Sequence, residues 1–355
     1  MKRKIPFISL SIIALSLLCL ILSRIARASY AFSDFIEKNI SSYLRLVMEK
    51  LTGWFSFSLF EVFIISLPIL IAGVITLSVI AFKRRRGGIF ILRLFSFVCL
   101  IFVTYTLTTG ISYHTTPVAE KIGLDTSDEI TVEDIAYTAE RVIEEIDFLT
   151  ARLTYLDGES RMEYSFAELS ERISEAYAIF NGEHLLFLDY TSVAKPIKGS
   201  ETMTAFRLSG IYTFYTGESN INMAYPDYNL PFSVAHELAH ARGVMREDEA
   251  NFVAFLVCIG SPDPFIRYSG YVNLLEYLIS AIYKMDKDIY NGILEKIDEA
   301  VLNDIRASSA VSREHANGFI GNLSNKFNDM YLKANGTAGT VSYSMVTKLA
   351  VAYYK

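Results

Sequence analysis

The longest apolar runs of the chain lie within its first 108 residues. The first run, at about 5–23, has 19 residues without a charge, and two more follow at about 57–82 and 89–108. At a rise of about 1.5 Å per residue, each run comes close to or exceeds the roughly 30 Å hydrocarbon layer of a bilayer. The pattern therefore predicts three transmembrane helices, which form a membrane anchor over residues 1–110.

Basic residues lie on one side of these runs. Lys83–Arg86 form a short loop between the second and third runs, and Lys2–Lys4 precede the first. Both clusters are expected in the cytoplasm, because short basic loops are retained there. Three spans that begin inside then place residues 111–355 outside the cytoplasm. A cleaved signal peptide ending near Ala26-Arg27-Ala28 is the competing interpretation of the first run, and it leaves this orientation unchanged.

From about residue 111 the pattern changes to prolines, acids and amphipathic periods. Helical spacing predicts helices at Thr131 to about Leu153 and at Ser165–Phe180, each behind a capping residue. Short β-rich stretches predict a strand at Leu185–Tyr190 and two strands with a turn over 204–225. Several amphipathic helices follow residue 270. The order of elements indicates an α+β fold, mostly helical, with a small sheet.

Charge and cysteine content narrow the classes of function. The formal net charge of -6 argues against a nucleic-acid partner, since such proteins usually carry a basic face that neutralises phosphates. The three cysteines form no metal-binding CxxC pair and indicate no disulfide framework. The apolar runs make the lipid bilayer an expected partner, and a protein or peptide is expected only because of the motif at 236–240.

The segment His236-Glu237-Leu238-Ala239-His240 is an HExxH motif. Residues four apart on a helix lie one above the other, so both imidazoles can bind the same Zn²⁺ ion. Glu237 lies one step round the helix and is predicted to act as general base toward a water that the metal activates. The alternative interpretation is a pair of hydrogen-bonded histidines with only a structural role.

A third metal ligand is expected just after this motif. Gly243 is a natural helix terminator, and acids at 247–249 suit the start of a second helix. If the two helices form a tight antiparallel pair, Glu247 meets the second histidine and becomes the third ligand. Glu249 would take this place if the second helix were shifted by half a turn. Asn251, one turn further along the second helix, would orient the first histidine without binding the metal itself.

These residues resemble those of the gluzincin metallopeptidases, in which a glutamate in an E-x-x-x-D or E-x-x-A-N/D pattern completes the zinc site. Glu247-x-x-Ala250-Asn251 matches that pattern, with Asn where Asp is more usual. The whole chain is also similar to an uncharacterised family of bacterial membrane-anchored HExxH proteins. The similar segments are Leu230–Gly243, Glu247–Phe252, and Tyr331–Gly336 with Ser342-Tyr343. The resemblance implies a bacterial cell membrane, a gluzincin-like zincin domain and one Zn²⁺ per chain.

In gluzincins, the strand before the HExxH helix commonly runs along the cleft and pairs with extended substrate. Glu218–Tyr225 is the equivalent strand, which makes Asn220 and Asn222 candidate substrate-binding residues, although an ordinary sheet edge is an equal alternative. A donor that stabilises the oxyanion is also expected. Nothing in the sequence selects among its candidates, which are Tyr331, Tyr343, His315, Arg242 and Arg246. His114 and His184 lie in no motif and are expected to be ordinary surface or core histidines.

The sequence therefore predicts a membrane-anchored zinc metallopeptidase that hydrolyses peptide bonds near the outer membrane face. One alternative is a zincin-fold sensor or binding protein that signals through its membrane spans without proteolysis. The general base Glu237 argues against that alternative, because a scaffold that only binds metal does not need it. A zinc hydrolase acting on a non-peptide amide bond of the cell wall is a third option with the same chemistry.

Overall fold

The computed structural model describes residues 6–314, 319–337 and 345–355. Lys2–Lys4, and with them His315, Ser342 and Tyr343, therefore lie outside the described residues. The chain is mostly helical and divides into two compact units. Unit 1 comprises 1–116 together with 213–218, and unit 2 comprises 117–212 together with 219–355. The sequence places its boundary at 110–111 and does not predict that 213–218 group with the first unit.

Unit 1 contains the apolar helices. Three helical stretches are long and apolar enough to cross a membrane: Phe7–Ala28, Leu59–Lys83 and Gly87–His114. Each of the three apolar runs in the sequence is therefore helical. The α-helices of unit 1 are α1 (Phe7–Ala28), α2 (Tyr30–Ile36), α3 (Ser42–Thr52), α4 (Leu59–Lys83) and α5 (Gly87–Tyr105), with π-helical turns at Glu37–Ser41 and Thr106–Gly110 and a 3₁₀ turn at Ser112–His114.

A buried ion pair links these helices. Arg45 of α3 is paired with Glu37 and donates a hydrogen bond of 2.7 Å to the Thr108 carbonyl oxygen. Ser112 donates a hydrogen bond of 2.5 Å to the second oxygen of Glu37. A buried guanidinium is costly unless it is paired and hydrogen-bonded, and here these contacts satisfy it.

The segment 213–218 contacts other residues of unit 1. The Glu218 carboxylate accepts hydrogen bonds from the backbone N–H groups of Leu59 and Phe60, at 3.1 and 3.0 Å. These donors are in the first turn of α4, where a carboxylate is favoured by unpaired N–H groups and by the helix dipole. The aromatic ring of Tyr215 packs against Phe63 of the same helix.

Unit 2 contains the remaining elements. Its helices are α6 (Val118–Lys121), α7 (Val132–Thr150), α8 (Phe166–His184), α9 (Ser200–Ala205), α10 (Asn229–Ala241), α11 (Glu247–Ile259), α12 (Pro264–Met285), α13 (Lys287–Leu294), α14 (Glu299–Glu314), α15 (Phe319–Ala334) and α16 (Met345–Tyr354). Its strands are β1 (Thr154–Leu156), β2 (Glu159–Arg161), β3 (Ala194–Ile197), β4 (Gly210–Thr213) and β5 (Glu218–Asn222). The last residue of β4, Thr213, and the first residue of β5, Glu218, belong to unit 1. The core lies where α12 packs against α7, α10 and α11.

The two capped helices that the sequence predicts in this unit are confirmed. Thr131 caps α7 in a reciprocal capping box with Asp134. Ser165 caps α8 by accepting a hydrogen bond from the Glu168 backbone N–H. Local capping chemistry is sufficient to fix these helix starts, because the bonds involve residues three apart.

The strand predicted at 185–190 is wrong. Leu185 ends α8 in a left-handed conformation with a φ of 53°. The Asn181 side chain then holds the following segment by two hydrogen bonds to the backbone of Phe187, at 2.8 and 3.2 Å. These side-chain contacts compete with strand pairing, and the next strand, β3, begins only at Ala194.

β5 is the central strand of a three-stranded sheet ordered β3-β5-β4. It pairs in parallel with β3, with Ala194 opposite Ser219 and Ile197 opposite Asn222. The predicted pair of strands within 204–225 is therefore present as β4 and β5. The expectation that Glu218–Tyr225 forms an open edge is wrong, because β5 is buried along its whole length between two neighbours.

Candidate functional site

The HExxH motif lies in the second half of α10, which neighbouring side chains hold at both ends of the motif. Tyr177 of α8 donates a hydrogen bond of 2.6 Å to the Ala235 carbonyl oxygen, and Tyr190 donates one of 2.7 Å to that of Ala241. Val234, Ala235, Leu238 and Ala239 are fully buried, so the apolar side of the helix faces the core. The histidines are thus presented from a rigid helix.

A tight turn separates α10 from α11. Gly243 has a φ of 97°, a left-handed conformation that favours glycine. The Val244 N–H donates to the Ala239 carbonyl oxygen at 3.0 Å, which satisfies one of the last carbonyls of α10. The second helix begins at Glu247, the first of the acids at 247–249 that predict its start. This turn brings the first residue of α11 against the two histidines.

The structure brings His236, His240 and Glu247 together. The two imidazole Nε2 atoms are 3.1 Å apart. Oε2 of Glu247 is 3.3 Å from Nε2 of His236, and Oε1 is 3.7 Å from Nε2 of His240. Among the described residues, this is the group of histidine, cysteine and acidic side chains whose ligand atoms could hold a metal ion.

The tautomer of His240 is set by the turn after α10, and its neutral state by burial. Its Nδ1 donates a hydrogen bond of 2.7 Å to the Val244 carbonyl oxygen, since a carbonyl can only accept. Nε2 of the neutral ring then carries a lone pair that points toward His236 and Glu247. Burial lowers the pKa of His240 to about 4, which keeps the ring neutral at ordinary pH. A neutral imidazole oriented by a backbone carbonyl is the usual form of a metal-binding histidine.

His236 lies between two carboxylates. Burial acts to lower its pKa, but the hydrogen bond and charge of Glu247 and the charge of Glu237 raise it overall. The nearby Asn251 side chain also contributes to the increase in this pKa. Nδ1 of His236 and Nδ2 of Asn251 are both buried and have no hydrogen-bond partner among the described residues, so an amide oxygen turned toward the ring would satisfy an Nδ1–H donor. The surroundings of His236 therefore favour a positive charge at this point.

Glu237 is buried beneath the hairpin of β4 and β5. Its backbone carbonyl accepts a hydrogen bond of 2.9 Å from Ser219, and its carboxylate accepts one from the Tyr212 backbone N–H. Gly210 lies directly against the carboxylate. Burial, helped by the charge of Glu247, raises the pKa of Glu237 to about 8. Sequence reasoning missed Gly210, Tyr212 and Ser219, because nothing in the pattern indicates which strand residues face the helix.

Glu249, the alternative third ligand, is engaged elsewhere. Its Oε1 pairs with Arg246 at 2.8 Å and accepts a hydrogen bond of 2.9 Å from the Val118 backbone N–H. The geometry therefore places Glu247, not Glu249, beside the histidines. Arg246, a candidate oxyanion donor in the sequence, is committed to this pair.

Asn220 and Asn222, predicted to bind substrate, are fully buried. Asn220 donates a hydrogen bond to the Ile211 carbonyl oxygen at 3.2 Å. Asn222 donates to Thr204 at 2.9 Å and to the Leu208 carbonyl oxygen at 2.8 Å. Both amides thus hold the hairpin together and do not present donors to a ligand.

The other candidate residues are spread through the molecule. Arg242 is buried, donates to the Leu238 and Tyr190 carbonyl oxygens, and stacks on the Tyr177 ring, so its guanidinium has a structural role. Tyr331 lies on an exposed part of α15. His184 packs against Phe180 at the end of α8, and His114 is in unit 1. His315 and Tyr343 are outside the described residues.

Comparison with known proteins identifies a family. No curated protein and no solved structure matches the chain significantly. Residues 36–351 match the model of a family described as protein of unknown function, DUF3810. The matched region begins before α3, includes unit 2 up to α16 and contains every residue of the candidate site. The chain is therefore a member of the DUF3810 family.

Proposed function

We propose that this protein is a membrane-anchored zinc metallopeptidase with His236, His240 and Glu247 as its metal ligands. The observation that carries the proposal is the convergence of their ligand atoms, which all lie within 4.8 Å of one another. Glu237 lies one residue from the first ligand and provides a candidate general base. A structural pair of histidines would explain neither the converging carboxylate nor the second buried glutamate.

The spacing of the ligand atoms supports a zinc site. Tetrahedral zinc with bonds of about 2.0–2.1 Å has ligand atoms about 3.3–3.4 Å from one another. The two Nε2 atoms are 3.1 Å apart, Oε2 of Glu247 is 3.3 Å from His236 and its other oxygen, Oε1, is 3.7 Å from His240. One ligand atom from each residue lies within 4.8 Å of the others, so small side-chain rotations would bring the three to these distances. Two imidazoles and one carboxylate are a zinc donor set that leaves a fourth position open. The two glutamates around His236 also favour a cation at this point.

Bound Zn²⁺ would supply Lewis acidity, which acidifies water and polarises a carbonyl oxygen. The protein's own contribution is made by Glu237, which takes the proton of the attacking water and returns it to the leaving amine. Ser219 and the Tyr212 N–H hold this residue in place from β4 and β5. His240 is kept in one tautomer by Val244, and Asn251 would orient His236.

The strand that would pair with an extended peptide is β4. It is an outer strand of the described three-stranded sheet, and Gly210 and Tyr212 within it contact Glu237. An outer strand offers main-chain N–H and C=O groups to a peptide, which supports a protein or peptide substrate. This assignment replaces the one made for Glu218–Tyr225 from the sequence.

The proposed location is a bacterial cell membrane, with the N-terminus in the cytoplasm and unit 2 outside it. Its support is the basic segment Lys83–Arg86 between two apolar helices, which the positive-inside rule assigns to the cytoplasm. A substrate would then be met near the outer membrane face.

The test uses the full chain purified in detergent without chelators. We expect about one zinc per chain by elemental analysis, and cleavage of a mixed fluorogenic peptide library that chelation abolishes and added zinc restores. Glu237→Gln should keep the zinc and lower turnover by at least about 10²–10⁴-fold, since it removes the general base. His236→Ala should lose both zinc and cleavage.

The alternative, a sensor that keeps the fold without hydrolysis, predicts a different result. It requires zinc binding in both wild type and Glu237→Gln, with no cleavage by either protein. Full activity of Glu237→Gln would contradict the proposed mechanism, and absence of zinc after resupply would contradict the metal site.

A further inference from the structure

Helix α15 (Phe319–Ala334) packs on unit 2 through one side only. A Cβ at Gly321 would lie 2.7 Å from Nε of Arg207 and 3.3 Å from the Ala205 carbonyl oxygen, so this face touches its neighbour closely. Arg207 also donates a hydrogen bond of 3.2 Å to Asn322. Leu332, eleven residues after Gly321 and on the same side of the helix, is fully buried. These contacts fix the rotation of the helix about its axis.

The opposite side carries a stripe of large apolar side chains. Leu323, Phe327, Met330 and Tyr331 are spaced by four, three and one residues, which places them on one helical face. Phe327 is 61% exposed and Met330 is 65% exposed. Single exposed apolar residues are ordinary, but four on one face of one helix form a contiguous patch. Because the other side is fixed, rotation cannot bury the stripe.

Two lysines border this stripe. Lys326 and Lys333 are seven residues apart and so lie on the same flank of the helix, and both are exposed. Asp329, the acidic residue of α15, lies on the side of these lysines that is away from the stripe, and it pairs with Lys333 at 2.7 Å. An apolar stripe edged by lysines is typical of helices that lie in a membrane interface, where the stems stay in the apolar layer and the ammonium groups reach the phosphates.

Unit 2 is joined to the third membrane-compatible stretch by a short connection. The third membrane-compatible stretch ends at His114, and unit 2 begins at Pro117. Three residues span at most about 10 Å, so no long linker separates the two. Interfacial binding by α15 is then intramolecular, and a helix too weakly apolar to recruit a soluble protein can still bind at the resulting effective concentration.

We infer that α15 is an interfacial helix, which inserts Leu323, Phe327 and Met330 at the level of the lipid headgroups of an anionic membrane surface. This inference does not depend on the proposed hydrolase activity. It assigns the exposed stripe to lipid and not to a second copy of the chain or to a peptide.

The test measures immersion depth by nitroxide labelling of the full chain in nanodiscs of phosphatidylglycerol and phosphatidylcholine. Labels are placed at Phe327→Cys and Met330→Cys, with Asn325→Cys as the matched control, an exposed polar position outside the stripe. The three native cysteines are buried, which directs the label to the introduced one. We expect labels at 327 and 330 to collide more often with oxygen than with an aqueous nickel chelate, and the label at 325 to show the reverse.

Charge reversal tests the lysines separately from the stripe. Lys326→Glu combined with Lys333→Glu should shift the 327 and 330 labels toward the aqueous value of the 325 label in anionic nanodiscs. Labels at 327 and 330 that are as accessible to nickel as the control would overturn the inference. Labels shielded from both reagents, with dipolar broadening that grows with the labelled fraction, would overturn it in favour of a second copy of the chain.

Discussion

Gly210 of β4 lies so close to Glu237 of α10 that any larger residue would overlap the glutamate side chain. A Cβ at position 210 would be 2.5 Å from Oε1, 2.6 Å from Cγ and 2.8 Å from Cδ of Glu237. Contacts below 3.0 Å are essentially never made by real Cβ atoms. The overlap includes Cγ, so a rotation of the terminal carboxylate alone cannot relieve it. The absence of a side chain at residue 210 thus sets the position of the candidate base.

Gly210→Ala should therefore displace Glu237 without touching the metal ligands. We expect hydrolysis to fall by about 10²-fold or more, because a displacement near 1 Å in a catalytic group has this effect. The zinc content should remain at the wild-type level. Turnover and zinc stoichiometry, measured on the same preparation, separate this positioning effect from loss of the site.

The matched control is Gly182→Ala in α8, where an added Cβ meets nothing within 4 Å. This variant should retain activity and gain up to about 1 kcal/mol of stability, since alanine is the better helix former. If Gly210→Ala were as active as this control, the role assigned to Gly210 would be wrong.

A second prediction separates the two glutamates at the start of α11. Glu247→Ala should reduce zinc from about one per chain to a small fraction, because it removes one of three protein ligands. Glu249→Ala should keep the zinc but destabilise unit 2 by about 1–3 kcal/mol, because the buried Val118 N–H loses its acceptor. Elemental analysis and thermal unfolding of both variants test the assignment. Zinc loss in Glu249→Ala alone would exchange the roles of the two residues.

Much of this helix pair follows from local signals in the sequence. The spacing of His236 and His240, the terminator Gly243 and the acids from Glu247 onward all act over a few residues. The turn and the start of α11 are present where these signals place them. The choice between Glu247 and Glu249 requires coordinates, because it depends on where Arg246 and Val118 lie.

The sheet illustrates what the sequence pattern does not contain. The alternation of Asn220 and Asn222 with Ile221 is typical of a strand with one exposed face, yet all three residues are fully buried. Thr204 and the Leu208 carbonyl oxygen satisfy the Asn222 amide, so a polar position can face the interior. The grouping of 213–218 with unit 1 depends on contacts such as Glu218 to Leu59, which are 159 residues apart in the chain.

A third prediction concerns Asn251, which we propose orients His236 in the zinc-bound site. Asn251→Leu should weaken zinc binding by about 10–100-fold, the usual effect of removing a residue that hydrogen-bonds to a metal-binding histidine. Asn251→Asp retains an acceptor for the ring N–H and should bind zinc at least as tightly as wild type. Competition with a chromophoric chelator gives both affinities. Equal affinities for the Leu and Asp variants would show that the hydrogen bond to His236 does not matter.

The last prediction concerns Glu276 of α12, a half-buried acid outside the metal cluster that accepts a hydrogen bond of 2.9 Å from Tyr228. Burial raises its pKa from 4.5 to about 7, although the Tyr228 hydrogen bond lowers it in part. An acid whose pKa is higher in the folded state stabilises the fold below pH 4.5, and this contribution is lost as the pH rises to about 7.

Glu276→Gln keeps an acceptor for Tyr228 but cannot ionise. The free energy of unfolding of wild type minus that of Glu276→Gln should therefore fall between pH 4.5 and 7 and be constant above that range. The fall should be at most about 3 kcal/mol, reduced by solvent screening of a half-buried group. Denaturant unfolding of the full chain at several pH values measures this difference, in which groups common to both proteins cancel. Tyr228→Phe, which removes the hydrogen bond that lowers the Glu276 pKa, should extend the fall to higher pH. Parallel stability curves for wild type and Glu276→Gln would show that Glu276 is ionised in the fold at its ordinary pKa.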